Sequence, residues 1–449
     1  MSFVLTEAPK EEVEMAIQVS SGQERIAALC EAFPLIPRSI IIKADVFREG
    51  LRYTKDLENA GEVSFPHSLI WNPKHRWNPQ EAPQAGEFIT IPWKFDLSDE
   101  TPVVVRFSAH TPYEIRRSDG RYHLLRDGEV IDEVSFEPKT EWLFKTTSKG
   151  VLMTSVFLSW TRECLLGCAL RYCEYTKTGD QCVYCCLDSN LKEYQKAGIK
   201  YDLSVDPQAA AETYQAAYEE VGQIRSVAFT GGSLRNTRKE AEHYVALYSA
   251  LSRVREKLKA KTDFGACLTP PPELELQRLK EAGLDHIAPN MDCWEEKLWP
   301  VIVPGKHKFV GRKYWIDTLF KCVKVWGRGN VGTALVVGPE MVPPHGFKSL
   351  EEGVESWRRC FEWLLSNDIG PFTVQWEREV NSPWENAEAP PTEYFLMVAQ
   401  ARHEAYEKYG AYDWRQHGHY KHAYYKAAAW TTDNDFRRLV HRCSCEECR

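Results

Sequence analysis

From about residue 150 onward, short apolar runs alternate with longer amphipathic ones, and this alternation constrains the fold more than any other feature of the chain. The runs VLMTSVFLSW (151–160), IRSVAFTGGS (224–233), TDFGACLTP (262–270), DHIAPNMD (285–292), NVGTALVVGPE (330–340) and PFTVQWERE (371–379) read as six strands. Helical patterns lie between them. DPQAAAETYQAAYEEVG opens on an Asp-Pro pair suited to a helix start, and TRKEAEHYVALYSALSRVREKL has apolar residues at helical spacing. Repeated strand–helix alternation implies a parallel sheet, and right-handed crossovers would curl six such units into an open, partial (βα)6 TIM-like barrel over 150–405. Functional residues on such sheets gather at the C-terminal ends of the strands. A cysteine-dense loop follows the first run and Thr230-Gly231-Gly232-Ser233 ends the second, so both are expected at that rim.

The flanking segments differ from the barrel. Residues 1–149 read as an extension, helical to about residue 60 and then an irregular connector rich in Pro, Asn and Trp over 61–87. The runs TPVVVRFSAH, YEIRRSDGRYHLL and GEVIDEVSFEP follow, with Asp-Gly pairs at 119–120 and 127–128 as hairpin turns. A small antiparallel sheet is expected there. Residues 406–449 form an aromatic, His- and Cys-rich tail, read as folding back onto the barrel.

Charge and hydropathy exclude some classes. With 56 Lys and Arg against 64 Asp and Glu, the chain lacks the basic excess of a nucleic-acid-coating surface. No run of about 18 apolar residues is present to span a membrane. The acidic start MSFVLTEAPKEEVEMAI does not resemble a secretory signal, so a cytoplasmic address is expected. Thiols stay reduced there, which makes clustered cysteines metal ligands sooner than disulfides.

Six of the fourteen cysteines fall between Cys164 and Cys186, within TRECLLGCALRYCEYTKTGDQCVYCC. Cys182 and Cys185 are separated by two residues, a spacing that lets both thiolates reach one centre. A structural zinc ribbon would want a second well-spaced pair on its own small module, and these thiols sit instead between a strand and a helix. Tyr184, directly before Cys185, suits packing beside a cofactor. Cys186 adjoins Cys185 and is expected to point away. Three further thiols, Cys443, Cys445 and Cys448, close the chain; the remaining five read as small buried side chains.

In these residues the chain resembles the radical S-adenosylmethionine (SAM) superfamily. That family carries three cysteines on the loop after its first barrel strand, commonly as Cys-x3-Cys-x2-Cys. They hold a [4Fe–4S] cluster with one iron left open for SAM, and an electron from the cluster splits SAM homolytically. The present spacing departs from the common one. Cys182 and Cys185 match the last two ligands, and GCALR resembles the start of the family loop, which makes Cys168 the first choice for the remaining ligand (Cys-x13-Cys-x2-Cys). Cys173 and Cys164 are the alternatives. The resemblance further implies that Thr230, Gly231, Gly232 and Ser233 contact the amino group of SAM. It also implies that Asn290 and Asp292, ahead of Pro304-Gly305-Lys306, lie near its ribose or methionine part. Gln375, Glu377 and Glu379 on the sixth strand share a face and are candidates to meet substrate or ribose hydroxyls.

The resemblance implies a small-molecule substrate and an electron donor such as flavodoxin or ferredoxin, and the charge and hydropathy lead us to expect no nucleic acid and no membrane. The terminal cysteines are candidates for a second cluster, a zinc or a thiophilic metalloid substrate, since soft thiolates suit soft centres. They keep open a second reading, transfer of a 3-amino-3-carboxypropyl group from SAM to an acceptor such as arsenite, as in arsinothricin biosynthesis. A third reading, from another class, is a non-catalytic zinc or electron-transfer iron–sulfur protein. His417, His419 and His422 have ligand-like spacing and are read as surface.

Overall fold

The computed structural model describes residues 21–58, 60, 92–138, 140–161, 163–196, 202–379, 381–414 and 431–441. The connector at 61–87, the three tail histidines and the three terminal cysteines lie outside these.

Two helices come first. Helix α1 (Gly22–Ala32) starts at Ser21, whose hydroxyl accepts from Glu24 N while Glu24 reaches back to Ser21 N, so two otherwise orphaned amides are satisfied at once. In α2 (Arg38–Glu49) every residue from Ser39 to Phe47 is buried. A helix buried on all sides lies inside the protein, and its two charged residues there are paired, Lys43 with Asp435 and Asp45 with Tyr113 and Thr392. Five strands then pair antiparallel in the order β2-β1-β5-β4-β3: β1 (Lys94–Leu97), β2 (Pro102–Val104), β3 (Tyr113–Ser118), β4 (Arg121–Arg126) and β5 (Glu129–Ser135). Asp119-Gly120 and Asp127-Gly128 hold positive φ at both turn positions, as two-residue hairpins require.

The second half is the alternating one. Strands β6 (Phe157–Thr161) and β7 (Cys164–Cys168) form an antiparallel hairpin. After α3 (Leu187–Lys196) and α4 (Pro207–Val221) comes β8 (Ser226–Thr230), then α5 (Thr237–Leu258), β9 (Asp263–Cys267), α6 (Glu273–Glu281) and β10 (His286–Ala288). Short helices α7 (Trp299–Ile302) and α8 (Pro304–Phe309) precede α9 (Arg312–Trp326). Strand β11 (Gly332–Val337), α10 (Leu350–Ser366), β12 (Gly370–Gln375), α11 (Thr392–Lys408) and the short α12 (Asp433–Phe436) complete the described order. Strands β7, β8, β9 and β10 are parallel neighbours in chain order, and β11 pairs in parallel with β12. Parallel bridges Ile287–Val331 and Asp292–Leu335 join β10 to β11. Six parallel strands therefore follow one another in space as they do in sequence, a mixed α/β arrangement.

One expectation is corrected. The first parallel strand is Cys164–Cys168, not the run 151–160. The end of that run turns back antiparallel and pairs with it, with a register shift between Ser159 and Thr161. Cys164 and Cys168 thus belong to a strand, not to the loop beyond it.

Alternation along the strands splits the core in two. Leu165, Val227, Phe229, Phe264 and Ala266 pack with Tyr214, Leu247, Tyr248 and Leu251 of α4 and α5. Leu158, Cys164, Leu166 and Ala228 pack instead with Ile40, Ile41, Ile42, Val46 and Phe47 of α2, and with Leu396, Ala399 and Phe436. Burying each such Ile or Phe stabilises by about 1.5–3 kcal/mol, so the N-terminal extension and the parallel sheet share one interior. Gln375 Nε2, at the end of β12, donates to Ala44 O at 3.1 Å, which fastens α2 to the last strand. The tail segment 431–441 covers the same strand. Asp433 accepts from Thr373 N at 2.7 Å and pairs with Arg402 at 3.0 Å, and Asp435 pairs with Lys43 of α2 at 2.6 Å.

Candidate functional site

The loop from Ala169 to Cys186 leaves β7 and is pressed onto the end of β8. Ala169 N donates to Thr230 O at 2.7 Å, Gly232 N to Leu170 O at 2.8 Å, and Glu174 N to Ser233 O at 2.9 Å. This close approach explains the glycines. A Cβ on Gly231 would lie 2.8 Å from Leu170 N, and one on Gly232 would lie 1.9 Å from Tyr172 O. The Thr-Gly-Gly-Ser run therefore seats the cysteine loop. Contact with a bound amino group would be a second task for it.

The opposite side of the loop is gripped by the segment around α7 and α8. Val183 N donates to Ile302 O at 3.0 Å, the ring of Tyr175 stacks on Phe309 at 5.4 Å, and Lys308 pairs with Asp180 at 2.8 Å. Gly305 packs so closely that a Cβ would meet Tyr175 Cγ at 2.5 Å and Asp180 O at 2.6 Å. From the sixth strand's side, Trp384 N donates to Val183 O at 3.0 Å.

Held this way, Cys173, Cys182 and Cys185 lie on one loop, near enough to act on one another electrostatically. Burial pushes all three thiols up, Cys185 to about 12, and the charge of Cys173 is felt at both Cys182 and Cys185. The backbone N–H groups of Ser233, Tyr175 and Thr176 point at the Cys173 sulfur and oppose its rise. Such amides suit a sulfur that will carry negative charge. Cys168 is placed differently. It ends β7, its thiol donates to Leu170 O at 3.3 Å, and burial holds it at about 12, with Cys185 as its cysteine neighbour. Cys164, in the same strand, is 3% exposed in the core shared with α2. Cys173 acts electrostatically on both Cys182 and Cys185, whereas Cys168 has Cys185 alone as a cysteine neighbour. Cys186 turns toward Arg106, Glu377 and Glu379, and Asn190 Nδ2 donates to its sulfur at 3.3 Å.

Among the described residues, no three His, Cys, Asp or Glu side chains stand close enough to share one metal ion. A polynuclear cluster, whose protein ligands sit on different irons, makes no such demand.

Asn290 and Asp292 follow β10. Asn290 Oδ1 accepts from Ala334 N at 3.0 Å, and Asp292 exchanges backbone hydrogen bonds with Ala334 and Val336 at 2.9 Å each, its φ at 62°. Between them sits Lys306, 8% exposed, whose ammonium donates to Asn290 O at 2.6 Å and pairs with the Asp292 carboxylate. Burial works against its charge, and Asp292, followed by Cys182, outweighs this and keeps the pKa above its ordinary value. Tyr184 lies beside them, its buried hydroxyl lacking a well-formed hydrogen bond and facing Asp292 and Cys182.

Three residues with no assigned role in the sequence also converge here. Lys306 was visible in the Pro-Gly-Lys run. Cys267, at the end of β9, is raised by burial to about 11 and faces Asn290. Glu240, in the first turn of α5 and 1% exposed, accepts from Leu234 N at 2.8 Å and from Thr269 N at 2.7 Å, so it ties together the loops after β8 and β9. Burial raises its carboxyl to about 7. Its only sequence signal is an acidic residue in a helix's first turn.

Beyond β12, Glu377 and Glu379 both pair with Arg106, a buried residue of the N-terminal extension. They join the two halves of the molecule, and Gln375 does the same through α2. Nothing in the sequence singled out Arg106.

No family model matches the chain, and no curated protein matches it. Among solved structures it is similar to methylornithine synthase (PylB), at 13% identity and a TM-score of 0.37 over 58% of this chain and 71% of that one. It is also similar to the FeFe-hydrogenase maturase HydG from Carboxydothermus hydrogenoformans, at 13% identity and a TM-score of 0.37 over 55% of this chain and 51% of that one. Both neighbours are radical SAM enzymes. Overlaps this loose carry no argument about the site, which stands on its own residues.

Proposed function

We propose that the chain is a radical SAM enzyme on a partial (βα)6 barrel, with Cys173, Cys182 and Cys185 as the ligands of a [4Fe–4S] cluster. The observation that supports this most is the meeting of these three thiols on one loop beyond the first parallel strand, clamped between the glycines after β8 and the segment around α8. The donor set fits an open cluster: three thiolates and, among the described residues, no fourth cysteine related to all of them. Buried polar atoms left for a ligand fit as well. Tyr175 Oη and Thr269 Oγ1, which face each other, and Tyr184 Oη, which faces Asp292 and Cys182, all lack a well-formed partner among the described residues.

When bound, the cluster supplies the single electron that cleaves SAM. The chain's own residues hold and shield it. Ser233, Tyr175 and Thr176 offer N–H groups to the Cys173 sulfur. Lys306 and Asp292 place opposed charges beside the loop. Gly231 and Gly232 keep the loop on the strand end. The substrate is proposed to be a small molecule, with a flavodoxin- or ferredoxin-type protein as donor.

Anaerobic reconstitution tests the reading. The expected product is a brown protein that absorbs near ~400 nm, bleaches with dithionite and contains about four irons per chain. A colourless protein with stoichiometric zinc would overturn it. Cys173→Ala is expected to lose the cluster and Cys168→Ala to keep it; the reverse returns the first ligand to Cys168. Chromatography of the nucleoside product then separates 5′-deoxyadenosine, expected here, from methylthioadenosine.

A further inference from the structure

We propose that Lys306 and Asp292 are an opposed charge pair that sets the reduction potential of the cluster, Lys306 raising it and Asp292 lowering it. The inference rests on the cluster assignment above and concerns two residues that touch none of its ligands covalently.

The geometry carries it. Lys306 lies within the segment that grips the cysteine loop at three points: Ile302 O on Val183 N, Gly305 against Tyr175 and Asp180 O, and Lys308 on Asp180. Lys306 thus belongs to the wall beside the loop, and its ammonium is fixed by Asn290 O at 2.6 Å, by the Asp292 carboxylate and by the face of Trp315 at 4.8 Å. These contacts leave the charge little freedom to swing into solvent. Asp292 is equally fixed, by its backbone pairing to β11 and by the ion pair. Lys306 is buried and Asp292 half-buried, and a charge so placed acts more strongly than one at the surface.

The redox step is simple to balance. One electron passes from the donor protein to the cluster, which gains one negative charge, and no bond forms or breaks. A fixed cation beside the cluster stabilises that added charge and raises the potential; a fixed anion does the opposite. Because the two are paired, each conceals most of the other's effect, and removing one exposes the remainder.

The test is a potentiometric titration of the reconstituted protein, with dithionite as reductant and the reduced cluster followed by electron paramagnetic resonance. Lys306→Met is expected to shift the midpoint to more negative potential and Asp292→Asn to more positive potential. The double variant is expected to return toward wild type. Lys306→Arg keeps the charge and should stay near wild type. An unchanged midpoint in both single variants, or shifts of the same sign, would overturn the proposal. Should Lys306→Met fail to hold the cluster, Asp292→Asn decides alone: a positive shift supports the pair and no shift overturns it. A wild-type protein with no cluster signal would instead remove the cluster assignment itself, a different outcome from an unmoved potential.

Discussion

At Gly232 there is no room for even a methyl group: the carbonyl of Tyr172 stands where a Cβ would go. Gly232→Ala must push the cysteine loop off the end of β8, at a cost of about 1–3 kcal/mol. A lower urea midpoint and a fall in iron retained after gel filtration, both relative to wild type, are the expected measurements. Glu240 gives a pH signature. Its carboxyl is raised by burial from the ordinary 4.5 to about 7, so the folded chain holds a proton that the unfolded chain has lost between those values. Stability therefore falls as pH rises from about 4.5 through about 7 and is level beyond, by on the order of 1–3 kcal/mol. Glu240→Gln is expected to flatten that slope in denaturation series between pH 5 and 8, while losing stability overall because an amide cannot accept from both Leu234 and Thr269. The sequence made the cysteines visible as a group. It left open which of Cys168 and Cys173 joins Cys182 and Cys185, and the proposal of Cys173 turns on where the strand stops. A side chain at the end of β7 is committed to the sheet, whereas one five residues later is free to turn toward the loop.

Between elements, the sharpest dependence is at the outer strand β12. Its Thr373 N–H would otherwise face an open edge, and the carboxylate of Asp433 accepts it while also pairing with buried Arg402. Asp433→Ala removes the counter-charge of that guanidinium, which keeps its bond to Pro371 O, and leaves that amide unpaired, for which a loss of about 3–5 kcal/mol is expected. Chemical denaturation checks it, and Asp433→Asn, which keeps one acceptor, should recover part of the loss. The five later strands were legible from their apolar runs and flanking turns, as were α4 with its Asp206 cap and α5. The first strand was not. Its residues, Cys-Leu-Leu-Gly-Cys, carry the same apolar pattern as the hairpin strand before them, and only pairing to β8 distinguishes the parallel strand from its antiparallel neighbour. Arg106 was equally hidden, since an ion pair between Arg106 and Glu377 joins positions that no local pattern relates.

The molecule as a whole has no clean seam at residue 149. The second core draws on α1, α2 and the antiparallel sheet from one side of that position, and on β6, β7, β8, α11 and Phe436 from the other. A fragment beginning at residue 150 is therefore expected to be insoluble, or to bind the dye ANS without a cooperative melting transition, and co-expression with residues 1–149 should restore a single transition. The order of synthesis gives α2 a further significance. The ribosome delivers this helix, buried on every side in the folded chain, long before the last of the strands that enclose it. At ordinary elongation rates the wait between Glu49 and Gly370 lasts on the order of tens of seconds. Within it the antiparallel sheet and then β6 to β8 emerge to cover part of the helix, while its contacts with α11 and the end of β12 come last, so the nascent chain is a natural client for a chaperone that shields apolar segments until then.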